Sequence, residues 1–79
     1  MAVKAFILID TQLGTAASVT RALRHLDLVL TADAVAGSHD VIAVIEGLDM
    51  NAIGDFVTGE VHTIEGVTHT VTSPALGNP

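Results

Sequence analysis

Two stretches of this chain are apolar on both faces of any strand they form, and that limits what can be built from it. In Val3–Ile9, Val3, Ala5, Ile7 and Ile9 fall on one side of a strand and Phe6 and Leu8 on the other. In Val41–Glu46, Val41, Ala43 and Ile45 oppose Ile42 and Val44. Strands covered on both faces belong in the middle of a sheet. Two further segments read as strands of a different kind. Val67–Ser73 alternates, with Thr68, Thr70 and Thr72 on one side, and Leu28–Ala36 carries Thr31 and Asp33 among its outward set. Half-polar strands suit sheet edges.

Between these strands the periodicity changes. Thr15 is placed to N-cap a helix running to about Leu26, with Val19, Leu23 and Leu26 at i, i+4 and i+7 and with Arg21, Arg24 and His25 near its C-terminus, where cations suit the helix dipole. Asp49 is an N-cap for a second helix with Ile53, Phe56, Val57, Val61 and Ile64 on one face, ended by Gly66. Gly54 and Gly59 weaken it by about 1 kcal/mol each relative to alanine, so packing must hold it. The turn at Gly37–Asp40 joins the second and third strands as a hairpin. The order βαββαβ, with short connections and right-handed crossovers, predicts an α+β fold of ferredoxin-like topology: a four-stranded antiparallel sheet with two helices on one face. The chain reads as one domain over residues 1–79, with 74–79 a loose or draped tail.

Two helices cover one face of such a sheet. The other face keeps Phe6 and its apolar neighbours, and an exposed apolar face of that size marks an interface. The expected occupant is a second copy, giving a dimer of the α+β barrel type. Length points the same way. A chain of 79 residues buries only about 60% of its unfolded surface, and with no cysteine it has no disulfide to compensate.

Composition removes several function classes. There is no thiol chemistry and no cysteine-ligated metal or cluster. Net charge is −6, with only Lys4, Arg21 and Arg24 as cations and only Phe6 and Phe56 as aromatics. Binding nucleic acid needs several phosphate-neutralising cations on one surface, or a stacking platform, so no direct nucleic-acid contact is expected. No apolar run reaches the roughly 18 residues of a membrane span, and no signal peptide is evident, so a cytoplasmic location is expected. The four histidines stand in no metal-ligand spacing, although His62 and His69 could approach one another. Asp10–Gly14 enters a helix and could hold an anion, but it lacks the glycine density of a phosphate loop. No cofactor or metal site is expected.

The stretch Gly37-Ser38-His39-Asp40 carries the most chemistry. A hairpin turn exposes backbone N–H groups that can bind a carboxylate. Asp40 can accept from an ammonium, and Ser38 and His39 can contact either group. This is what the zwitterionic end of an amino acid requires. An ordinary β-turn using glycine and aspartate for local bonding accounts for the same residues.

Val35-Ala36-Gly37-Ser38-His39-Asp40-Val41, followed by an apolar strand, resembles the Gly-x-x-Asp hairpin of the effector domain of Lrp/AsnC transcription regulators, the RAM domain. Leu48–Ile53, Phe56-Val57 and Ile64-Glu65-Gly66-Val67 with the threonines after it resemble that domain's second helix and last strand. Gly14, Ala22-Leu23 and Leu28 fit its first helix region. The resemblance spans Val3 to Leu76. It implies a ferredoxin-like fold, homodimers through the sheets, rings of dimers, and small effectors, often amino acids, bound between dimers near Gly37, Ser38, His39 and Asp40. The family often has an aromatic residue at the position of His39. Full regulators carry an N-terminal helix-turn-helix, whereas this sequence starts two residues before its first strand and looks like a stand-alone effector domain, with a full-length regulator as a further candidate partner. Three alternatives compete. One is a pure assembly module that co-oligomerises with full-length regulators. A second is an ACT-type regulatory domain, against which the Gly-x-x-Asp hairpin argues. The third is a dimeric ferredoxin-like enzyme, which needs a polar, aromatic pocket that the Val, Leu, Ile, Phe and Ala helix faces do not supply.

Overall fold

The computed structural model describes residues 2–76. Its elements are β1 (Val3–Thr11), α1 (Ala16–Arg24), β2 (Val29–Ala34), β3 (Val41–Gly47), α2 (Met50–Phe56), which continues as a π-helical turn at Val57–Val61, and β4 (Val67–Pro74). The four strands form one antiparallel sheet in the order β2-β3-β1-β4. The two doubly apolar strands are therefore the central pair, and the half-polar ones are the edges. This is the ferredoxin-like arrangement.

Register decides which apolar set each face receives. Ala5 faces Ile45, Ile7 faces Ala43 and Ile9 faces Val41 across the central pair. All six are fully buried, together with Val19 and Leu23 of α1, Ile53 of α2 and Val61 of the π-turn. The opposite parity pairs Phe6 with Val44 and Leu8 with Ile42, and β4 adds Val71 opposite Leu8. These five residues form an apolar strip on the uncovered face, where Phe6 and Val71 are each 38% exposed.

Several boundaries differ from the sequence reading. β1 runs two residues further, through Asp10 and Thr11, which pair with His69 and Val67 of β4 across a register shift. α1 ends at Arg24 because its last turn tightens: His25 N–H donates to Ala22 O and Leu26 N–H to Leu23 O, the i→i−3 pattern common at helix ends. Thr15 occupies the N-cap position, yet its hydroxyl donates to Gln12 O at 2.7 Å and caps no helix N–H. Its ψ of 0° lacks the extended geometry that capping uses. Asp49 does cap α2, accepting from Ala52 N–H at 2.8 Å. The second helix continues past Phe56 but ends at Val61, short of Ile64 and Gly66, and does so through the wider π geometry, closed by His62 N–H to Val57 O at 2.9 Å. That turn contains Thr58 and Gly59, both poor α-helix formers, and keeps Val57 and Val61 in the core.

The threonines of β4 do not form the outer surface. Thr70 and Thr72 lie opposite Ile9 and Ile7, on the helix side, and His62 Nε2 bonds Thr70 Oγ1 at 2.7 Å. The edge strand β2 is held from the side by Arg24, whose Nε donates to Ala32 O at 3.0 Å. At the end of β4, Pro74 pairs with Ala5 and Ala75 N–H donates to Lys4 O at 2.9 Å. Of the segment read as a tail, residues 77–79 lie outside the described residues. Among the described residues no helix is long and apolar enough to cross a membrane.

Candidate functional site

The antiparallel pairing of β1 with β3 sets Ile9 opposite Val41. The end of β1 is thereby brought beside the hairpin that precedes β3. Asp40 is fastened to β1 at two points, its N–H donating to Ile9 O at 3.0 Å and its Oδ2 accepting from Thr11 N–H at 2.8 Å. Its own carbonyl accepts from Val35 N–H at 2.9 Å, which closes the hairpin. Asp40 therefore bonds the neighbouring strand with its side chain, and not its own turn.

His39, the preceding residue, also reaches β1. Its Nδ1 lies 2.9 Å from Asp10 Oδ1, within hydrogen-bond distance, and both side chains are partly exposed. Asp10 sits at the irregularity where β1 shifts register against β4, and its carbonyl accepts from Thr68 Oγ1 at 3.1 Å. Bulges of this kind re-aim side chains. Gly37 and Ser38 are exposed. Gly37 has φ +155° and open space where a Cβ would stand.

All four candidate residues thus lie on one hairpin at one end of the sheet, with His39 and Asp40 both anchored to the terminus of β1. Asp10 and Thr11 entered the sequence reading only within the Asp10–Gly14 turn, not as partners of this hairpin. The sequence places the two doubly apolar strands side by side, but the register that sets the residues after Ile9 beside those before Val41 is seen only in the structure. His62 and His69 line one shallow groove along β4 with Val67, Thr68 and Thr70. Among the described residues no three histidine, aspartate or glutamate side chains come close enough to hold a metal ion. Between sheet and helices the described residues form one apolar cluster. Thr20 is the only buried polar side chain there among the described residues, and its hydroxyl is satisfied by Ala16 O at 2.8 Å.

A βαββαβ order in one antiparallel sheet, with two helices packed on one face and an apolar strip on the other, is the ferredoxin-like fold. The chain belongs to the Lrp/AsnC ligand-binding domain family, whose model matches residues 4–79. It is similar in structure to the protein TTHA0845 of Thermus thermophilus, with a TM-score of 0.90 and 27% identity over 98% of this chain and 96% of that one. The hypothetical protein PHS023 of Pyrococcus horikoshii aligns with a TM-score of 0.87 and 28% identity, over 96% of this chain and 92% of the other. The transcriptional regulator NMB0573 of Neisseria meningitidis, solved as its L-methionine complex, aligns with a TM-score of 0.84 and 26% identity over 95% of this chain. This chain spans 50% of that regulator's length. No curated protein matches the sequence.

Proposed function

We propose that this domain is a non-enzymatic effector module that binds a small molecule, most naturally an amino acid, at the Gly37–Asp40 hairpin, and that it works as a homo-oligomer. The observation that carries the reading is the anchoring of the hairpin. Asp40 and His39 are held by β1 while Gly37 and Ser38, the residues before them in the turn, are exposed. A carboxylate beside exposed N–H groups suits an ammonium and a carboxylate on one ligand. Family membership and the L-methionine complex of the Neisseria regulator support the same ligand class.

Two further observations support the oligomer and the absence of catalysis. The hairpin's polar groups lie on open surface, so a neighbouring copy is needed to enclose a ligand there, as in a ring of dimers. The strip of Phe6, Leu8, Ile42, Val44 and Val71 gives the sheet a face for the dimer itself. Between sheet and helices, where a ferredoxin-like enzyme would place its pocket, the buried side chains form an apolar cluster.

The test is calorimetric titration of the wild type with each of the twenty L-amino acids, alongside sedimentation. Binding of one of them below millimolar concentration, weakened at least tenfold by Asp40→Ala, is expected. If none binds, the domain is better read as an assembly module. If one binds and Asp40→Ala binds it equally well, the site lies elsewhere.

A further inference from the structure

Asp10 lies outside the Gly37–Asp40 hairpin, at the register shift of β1 against β4. Its Oδ1 meets His39 Nδ1 at 2.9 Å. An ionised carboxylate can only accept, so the hydrogen in this contact sits on Nδ1. In a neutral imidazole one ring nitrogen carries hydrogen and the other accepts, and the bond made by the first fixes the role of the second. Nε2, on the far edge of the ring, is then an acceptor. The His39 side chain is 28% exposed, so it is held by Asp10 yet still open to solvent. Its neighbour Asp40 already gives one carboxylate oxygen to Thr11 N–H.

We infer that Asp10 is a positioning residue of the effector site, holding His39 in its Nδ1–H tautomer so that the hairpin offers Nε2 as an acceptor, in addition to the Asp40 carboxylate, to an ammonium-bearing ligand. An ammonium has three donors, and one carboxylate oxygen does not exhaust them. Without Asp10 the ring is free to turn and to carry its hydrogen on Nε2, which points a donor at a cation. The ligand clause rests on the proposed function. The tautomer clause rests on the Asp10–His39 contact alone.

Long-range 1H–15N correlation spectra of the imidazoles, recorded without ligand in mildly alkaline buffer, read the tautomer directly. His39 should show a hydrogen-bearing Nδ1 in the wild type, lose that signature in Asp10→Ala, and keep it in Asp10→Asn, whose amide oxygen still accepts. His62, bonded through Nε2 to Thr70, should be unchanged in both variants. A wild-type ring with hydrogen on Nε2, an Asp10→Ala protein that keeps it on Nδ1, or an Asp10→Asn protein that behaves like Asp10→Ala overturns the inference. In titrations with the twenty L-amino acids, Asp10→Ala should bind about three- to tenfold more weakly than wild type, with Asp10→Asn close to wild type. Equal binding by Asp10→Ala removes the positioning role. If the wild type binds none of them, the proposed function and the ligand clause fall together, and the spectra still decide whether Asp10 fixes the ring.

Discussion

Asp40 shows how one side chain can serve stability and recognition with different atoms. Its Oδ2 satisfies Thr11 N–H at the end of β1, a donor that would otherwise lie part-buried and unpaired. Asp40→Ala should therefore lower stability by about 1–3 kcal/mol in urea unfolding, the usual penalty for orphaning such a group. Asp40→Asn keeps an acceptor oxygen and should recover most of that loss while still lacking the charge an ammonium needs. An alanine variant as stable as wild type would show that water takes over the Thr11 contact. Gly66 is the other residue on which much depends. Its φ is +103°, and a Cβ there would lie 2.7 Å from Thr15 Oγ1 and 2.9 Å from Thr15 Cβ. Its carbonyl accepts from Gln12 N–H at 2.7 Å, so the entry to β4 is locked against the turn before α1. Gly66→Ala combines backbone strain with a collision and should cost about 2 kcal/mol or more, seen as a lowered melting temperature. An unchanged melt would mean that the turn moves aside freely. The sequence shows Gly66 as a helix stop. It does not show that Thr15, 51 positions earlier, would stand against it.

Among the elements, α2 and its π-turn are the least secured by local preference. The cap at Asp49 is made, and Ile53, Phe56, Val57 and Val61 are all in the core, but two glycines interrupt the helix. Gly54 has open space where a Cβ would stand and no positive φ. Gly54→Ala should thus stabilise the fold by about 0.5–1 kcal/mol through propensity and a less flexible unfolded chain, read as a rise in the urea midpoint. A fall would show that the π-turn following it depends on the glycine. The strands were legible because their apolar parity is strong. The polarity of β4 was legible, but not the direction of its threonines. Thr70 and Thr72 turn toward the helices because the second crossover brings His62 over β4, where Thr70 finds a partner. Alternation fixes which residues share a face and leaves open which face that is.

At the scale of the whole molecule the sheet has one face against the helices and one that no described element covers. Val41, Ala43 and Ile45 go to the helices, so Ile42 and Val44 lie on the other face with Phe6, Leu8 and Val71. If a second copy covers that strip, Val44→Asp places an unpaired charge in the interface and should convert a wild-type oligomer to monomer in sedimentation velocity at micromolar concentration, with lowered thermal stability. A wild type that remains a folded monomer on dilution would remove the basis for the dimer. What the sequence by itself determined here is the topology. Two strands apolar on both faces must be central, two half-polar strands must be edges, and a βαββαβ order with short connections leaves one antiparallel arrangement for them. It also placed the glycine–aspartate hairpin at one end of the sheet. Only the tertiary structure decided the parity of the faces, the π geometry after Phe56 and the anchoring of Asp40 and His39 to Thr11 and Asp10. Those contacts join residues 29 positions apart. Local periodicity and turn chemistry act over a few neighbours, whereas these contacts follow from how β1 is bulged and registered against its partners.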